Sequence, residues 1–346
     1  AARREARLAR IDRIARPLAA LGLGWLVAPI RIAAGDRSPA QMKAVGSQIA
    51  VPVLGIVAFL LAWAALAPRV ETSLGAIPGP AAVWEQATTL YGEHAAERRR
   101  AAEFYERQAE RNEKLVAAGE SERVKWRDYT GRPTYPDQIL TSLKTVAIGF
   151  LIGTLVAVPL GIACGLSPTF NGAINPLVQI FKPVSPLAWL PLVTMVVSAL
   201  YANASAALPK SLVISAITVT LCSLWPTLIN TAVGVASIDK DLLNVSRVLN
   251  LSTRKKLTKL VLPSALPLIF TGLRLSLGVG WMVLIAAEML AQNPGLGKFV
   301  WDEFQNGSSN SLARIMVAVL TIGIIGFLLD RAMQALQAAF THSAAR

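Results

Sequence analysis

Apolar and charged positions along this chain segregate into blocks. Six stretches are apolar and long enough to cross roughly 30 Å of hydrocarbon: residues 49–67, 139–166, 176–201, 211–236, 266–291 and 312–329. Charged segments separate them, a pattern that predicts an all-α polytopic membrane protein with six spans. The third stretch is the least regular. Pro183, Pro186 and Pro191 cannot sit in one straight helix. Non-helical backbone at membrane depth survives only where protein or water shields it, so this stretch is expected to be broken and buried against other helices or a cavity. In the second stretch Gly149, Gly153, Gly161 and Gly165 recur at spacings of four and eight, which permits close helix contact. The Trp225-Pro226 pair is expected to kink the fourth.

The charged blocks set orientation and domains. Residues 1–45 form a basic segment. Leu8, Ile11, Ala15 and Leu18 recur at helical spacing with Arg3, Arg7, Arg10 and Arg13 opposite, as in an amphipathic helix lying on the cytoplasmic leaflet. This excess of Arg and Lys places the N-terminus inside. Residues 46–68 are the first transmembrane helix. Residues 69–137 are then an extracytoplasmic loop with a charged helical insertion, read over 93–117, which is either a docking surface for a soluble binding protein or a solvated insertion. Residues 138–335 hold five further spans, with SPTFNGAIN after the second and QNPGLGKFVWDEFQNGSSN before the last read as loops. Residues 336–346 are a cytoplasmic tail, giving both termini inside.

Charge inside the spans narrows the chemistry. Lys182 lies at the break of the third stretch, where a cation is an anion contact or a structural partner of a carboxylate such as Glu288. Arg274 and Glu288 are read as buried charges. Fourteen residues on one helix separate them by about 21 Å, so each needs a partner on another helix. The fourth span carries Thr218, Thr220, Ser223, Thr227, Asn230 and Thr231, which serve either as interhelical glue or as a polar path. The candidate anion path is Lys182, Ser185, Trp189, Thr227, Asn230 and Thr231.

Composition agrees. Of 346 residues, 53% are hydrophobic and 16% charged, with a net charge of +13. The basic residues flank apolar stretches, so topology and anionic lipid account for them and no nucleic-acid partner is expected. Cys164 and Cys222 lie in apolar runs, and neither they nor the two His have metal-ligand spacing, so no metal site is expected. No cleavable signal peptide is evident. There is no clustered catalytic constellation, which argues against a membrane enzyme, and no Gly-x-x-x-x-Gly-Lys-Ser/Thr phosphate loop. A secondary transporter driven by an ion gradient is weakened because only one broken region is visible.

The segment 237–263 is the most specific. A helix-forming run, Leu242, Leu243, Asn244, Val245, Ser246, Arg247, Val248, Leu249, Asn250 and Leu251, precedes the basic cluster Arg254, Lys255, Lys256 and Lys259 and then Leu262-Pro263. It resembles the cytoplasmic coupling loop of binding-protein-dependent ABC importer permeases. Leu262-Pro263 matches that family's Leu-Pro, Leu260 stands at its Ile, Asn250 stands where Gly is usual, and Asn244-Val245-Ser246 replaces Glu-Ala-Ala. Asn is the next-best residue after Gly for a left-handed backbone. The strings QIFKPVSPLAWLPL, SLWPTLINTAVGV, LNVSRVLNLS, IFTGLRLSLGVGWMVLIAAEML and Asn-Pro-Gly-Leu-Gly look closest to the nitrate, bicarbonate and cyanate branch, with sulfonate and taurine permeases related.

The resemblance implies the six-helix type I importer permease fold in the bacterial inner membrane, and import of a small anion, nitrate or nitrite first. It implies no cofactor bound by this chain, with ATP and Mg used by separate ATPase subunits. The implied partners are a second permease subunit, as a homodimer, two cytoplasmic ATPase subunits that receive residues 242–251, and an extracytoplasmic substrate-binding protein.

Overall fold

The structure is a computed structural model that describes residues 24, 27–35, 38–72, 75–201 and 208–343, without the side chains of Lys240, Leu243, Arg247 and residues 341–343. The amphipathic helix expected over 1–16 lies outside the described residues. Helix α1 (Val27–Ala33) falls in the stretch that follows it.

The first span, α2 (Pro39–Arg69), begins earlier than residue 49. It contains a π-helical turn at Gly46–Ala50, and a second such turn, Leu257–Val261, lies within α9 (Thr253–Ala291). The two share a cause. Each lies just before a proline, Pro52 or Pro263. The proline ring would clash with the carbonyl four residues earlier and offers no N–H to it, and a widened turn relieves both.

After α2 a two-residue hairpin pairs β1 (Glu71–Thr72) with β2 (Gly75–Ala76), antiparallel, Glu71 opposite Ala76. Helix α3 (Pro80–Ala117) follows and is longer than the 93–117 read from charge, with 38 residues. Proline stands at its first helical position, where a missing N–H costs nothing. Gly119, at φ +77°, ends it, and the Glu120 N–H donates to the Leu115 carbonyl at 2.9 Å. The chain then returns along α3. The Gln108 side chain donates to the Arg127 carbonyl at 3.1 Å and accepts from its N–H at 2.9 Å, and Asn112 donates to the Lys125 carbonyl at 3.1 Å. The insertion is therefore a folded hairpin of helix and extended chain.

Helix α4 (Tyr135–Leu166) starts at a capping box formed by Thr134 and Asp137. Helices α5 (Pro168–Phe181) and α6 (Pro186–Tyr201) are bent by 102° at the Lys182–Ser185 break. The stretch after α4 read as a loop is thus helical from Pro168, with Ser167 as its cap: the Ser167 hydroxyl accepts from the Phe170 N–H. Its polar half, PTFNGAIN, hides the helical period because only the second half is apolar. Helix α7 (Lys210–Ala236) runs through Pro226. Helix α8 (Lys240–Val248) is followed by α9, then α10 (Leu296–Asn306), a short helix in the outer connection read as a loop, and α11 (Ser311–Ser343), which carries the last span into the expected tail. Among the described residues five helices are long and apolar enough to cross a membrane, or six if the bent α5–α6 pair is one span.

The core forms where α4 and α9 pack against α7. Two-thirds of the apolar window of α7 is buried (67%) and half of that of α9 (50%), against none of that of α2 (0%). Glycine makes the α4–α7 contact close. A Cβ built at Gly149 would lie 2.7 Å from the Ala216 carbonyl, one at Gly161 2.6 Å from the Thr231 Cβ, and one at Gly165 2.5 Å from the Val235 Cβ. Gly153 is looser, with Leu224 Cβ at 3.7 Å. Close approach also lets the Thr220 hydroxyl donate to the Gly149 carbonyl at 2.9 Å. On the other face of α7, Gly272 of α9 approaches Thr227, and the Thr227 hydroxyl bonds the Ser276 hydroxyl at 2.7 Å.

Candidate functional site

The cytoplasmic elbow between α7 and α9 has a defined geometry that a plain connecting loop does not require. Helix α8 ends at Val248 rather than Leu251. Asn250, at φ +44°, turns the chain in the left-handed region, as its place in the motif predicts. The Leu251 N–H donates back to the Ser246 carbonyl at 3.1 Å, closing the turn. Ser252 then caps α9, its hydroxyl accepting from the Lys255 N–H. Ser246 is buried, whereas Leu242, Val245, Val248 and Leu249 are exposed at 47, 52, 82 and 64%. Leu242, Val245 and Leu249 are spaced by three and four, so they share a face. Asn244 is exposed; the side chains of Leu243 and Arg247 lie outside the description. Leu262 and Pro263 begin the regular part of α9 directly after the π turn, and Leu262 packs against the cluster of Val235, Ile238, Val261, Ala265 and Ile269. The elbow is thereby fastened to the inner ends of α7 and α9 while its apolar face stays open.

At the outer end of α9 lies a second polar centre, which holds the bundle together. Glu288 is fully buried and its partner is not Lys182, which is exposed at the C-terminus of α5. The Ser142 hydroxyl of α4 donates to the Glu288 carboxylate at 2.7 Å, and the Gly297 N–H at the start of α10 donates at 3.1 Å. The Leu296 N–H donates to the Ser142 hydroxyl at 2.9 Å, and Asn293 reaches the Thr145 hydroxyl at 3.1 Å. A carboxylate at a helix N-terminus faces the positive end of the helix dipole. The Asn-Pro-Gly-Leu-Gly string is explained by this approach: a Cβ at Gly295 would fall 2.2 Å from the Glu288 carboxylate, and one at Gly297 2.1 Å from the Ile285 carbonyl.

Around this centre the insertion is tied to the outer rim. Arg314 of α11 pairs with Glu93 of α3 and donates to Glu303 of α10 at 3.3 Å. Arg98 pairs with Asp137 at 2.8 Å, and Tyr135 and Phe299 rings lie 4.8 Å apart. Farther out, the Tyr129 hydroxyl donates to Glu97 at 2.8 Å, and this bond raises the phenol above its ordinary value. An outer cavity of about 310 Å³, lined by groups that include Glu97, Arg100, Arg132 and Asp302, lies between these elements.

The residues of the candidate anion path lie at the α5–α6 bend and along α7. Ser185 and Trp189 flank the α5–α6 bend, where Phe181 stands 5.8 Å from the Trp189 ring and 6.4 Å from that of Trp225. Thr227 and Thr231 are buried at 1 and 0% exposure in the packing of α7 against its neighbours, and Asn230 turns back to the Pro226 carbonyl at 2.8 Å. These two threonines line no open path: Thr227 is interhelical glue, and Thr231 packs at the close approach of Gly161. Arg274 is not a buried charge. It is half-exposed and forks Asp330 of α11, with one of the two bonds at 3.0 Å. Asp330 was invisible as its partner because 56 residues separate them and it stands at the edge of the last apolar run. Among the described residues no group of three or more His, Cys, Asp or Glu side chains is placed to hold a metal.

An all-α bundle of spans with one broken helix, an open apolar cytoplasmic elbow and a clamped outer rim defines a multispan permease. Residues 157–342 match the family described as Binding-protein-dependent transport system inner membrane component, and the chain belongs to that family. It is a permease subunit of an ABC importer and not an enzyme. It is 39% identical over 194 residues, 56% of this chain and 66% of the relative, to the Nitrate import permease protein NrtB of Synechococcus elongatus. It is 34% identical over 291 residues, 83% of this chain and 86% of the relative, to the Bicarbonate transport system permease protein CmpB of Synechocystis. The Taurine transport system permease protein TauC of Escherichia coli is 35% identical over 59% of this chain and 69% of its own length. Among solved structures, a chain of the MetNI methionine ABC transporter in an inward facing conformation shares the fold at 15% identity with a TM-score of 0.50, covering 60% of this chain and 96% of that one. Membership implies ATPase and substrate-binding partners.

Proposed function

We propose that this subunit forms the membrane path of an importer for a small planar oxyanion, nitrate first, and that α8 receives the force of the partner ATPase. The observation that carries the coupling role is the open apolar face of Leu242, Val245 and Leu249 along and just after a short helix whose flanking residues Ile238 and Leu257 pack with the inner ends of α7 and α9. Such a face gains from burial in a groove of a soluble chain, about 25 cal/mol per Å² removed from water. Closure of two ATPase chains on ATP and Mg would then move the spans through this contact. Two copies of the permease around a shared path, and a binding protein seated on the outer rim near α3, complete the assembly.

The substrate reading rests on the similarity to NrtB. The longer alignment with CmpB, which takes in most of this chain, favours bicarbonate as a second reading. Uptake of labelled nitrate and labelled bicarbonate into vesicles carrying the whole complex separates them. ATP-dependent accumulation of nitrate supports the first, accumulation of bicarbonate alone the second, and accumulation of taurine alone would refute both.

A further inference from the structure

An Arg–Asp pair facing an open groove inside a membrane bundle calls for its own explanation. Helix α9 is among the most enclosed elements, yet it leaves one stripe uncovered. Arg274, Leu275, Gly278 and Met282 are exposed along it at helical spacing. With Thr271, Asp330 and Gln337 they line an open groove of about 690 Å³. Ala291 is seventeen residues beyond Arg274, and Ser311 is nineteen before Asp330. At 1.5 Å per residue both charges lie about 26–29 Å from the outer helix ends, at one depth toward the inner ends of the two spans. Ionisable side chains in spans face water-filled cavities or protein rather than lipid.

The form of the pair shows what the groove recognises. Arg274 meets Asp330 through Nε and Nη2, one to each carboxylate oxygen, a two-bond fork. A carboxylate presents two oxygens on a planar trigonal centre, and so do nitrate and bicarbonate. Arg is suited to this planar, bidentate match, whereas Lys acts as a point charge. Asp330 has a second partner in place: the Gln334 Nε2 donates to it at 2.9 Å. Arg331, next to Asp330, stands 5.0 Å over the Phe327 ring. The carboxylate therefore keeps a hydrogen bond when the guanidinium lets go.

We propose that the Arg274 guanidinium is an oxyanion station on the transport path, occupied by Asp330 when empty and by the passing anion in its place. Exchange of one planar oxyanion for another leaves the fork satisfied. Competition from Asp330 keeps the site weak enough to release its load, as conduction requires. This inference rests on the oxyanion reading above.

The test uses vesicles carrying the complete complex with its ATPase and binding-protein chains. Arg274→Lys keeps the charge and loses the fork, so KM for nitrate or bicarbonate uptake should rise about tenfold while the complex still co-purifies. Gly278→Cys, made with Cys164→Ala and Cys222→Ala, places a thiol in the groove, where a Cβ meets nothing within 4 Å. A water-soluble thiol reagent should label it, nitrate should slow the labelling several-fold, and adding Arg274→Gln should remove that protection. A thiol that reacts only with a lipid-soluble reagent, labelling indifferent to nitrate, or an unchanged KM in Arg274→Lys would overturn the proposal while uptake by the unaltered complex still stands. An unaltered complex that carries neither anion overturns the oxyanion reading and this inference with it.

Discussion

Two glycines on one helix, eight residues apart, make opposite predictions. Adding a methyl group at Gly161 puts a carbon 2.6 Å from the Thr231 Cβ and 2.7 Å from the Leu228 carbonyl, both parts of α7 near its backbone that cannot swing aside. At Gly153 the same methyl meets Leu224 at 3.7 Å, an ordinary contact. Overpacking of a tight contact costs about 1–3 kcal/mol. Replacing a mid-helix Gly by Ala returns about 0.5–1 kcal/mol. Gly161→Ala should therefore lose up to about 2.5 kcal/mol, and Gly153→Ala should be neutral or gain up to about 1 kcal/mol. Thermal unfolding of the purified complex, followed by loss of monodispersity, reads the difference: a lower midpoint for Gly161→Ala and an equal or higher one for Gly153→Ala. Equal midpoints, or the reverse order, would refute the claim that α4 and α7 meet through the glycine stripe.

Other expectations follow from single contacts. Asn250→Gly should leave uptake unchanged, whereas Asn250→Val, forced into the left-handed region, costs about 1–2 kcal/mol locally and should lower uptake more than membrane insertion; equal uptake by the two variants contradicts the turn's role. Ser142→Ala removes a bond to a buried carboxylate, a loss of about 1–3 kcal/mol that hydrogen exchange should show as faster opening at Asn293–Gly297. Unchanged exchange there would place the restraint elsewhere. Arg314→Met frees Glu93 and should raise exchange across the outer part of α3 without altering α7, and protection that persists in α3 would show that apolar contacts alone hold the insertion.

Much of the architecture was legible because lipid imposes simple demands. Apolar run length marks the spans, glycine spacing marks a close-packing face on α4 without naming its partner, and Asn250 marks a left-handed turn. What escaped was of two kinds. Helix α10 and the first half of α5 are short and mixed in polarity, so neither run length nor period separates them from loops. The partners of Glu288, Arg274 and Arg314 are brought together only by tertiary packing: Ser142 is 146 residues from Glu288, and Glu93 is 221 from Arg314. The polar face of the fourth span admitted two readings, glue or path, and the burial of Thr227 and Thr231 decides for packing at those positions.

The central claim is that α8 grips the ATPase through its open apolar face. Val245→Asp with Leu249→Asp puts two charges there while leaving buried Ser246 and the Asn250 turn untouched. Pull-down of the tagged permease from detergent-solubilised membranes measures the result directly. The account predicts normal amounts of permease with the ATPase chain largely lost; stoichiometric ATPase recovered with the doubly charged helix, and uptake at the unaltered rate, would contradict it.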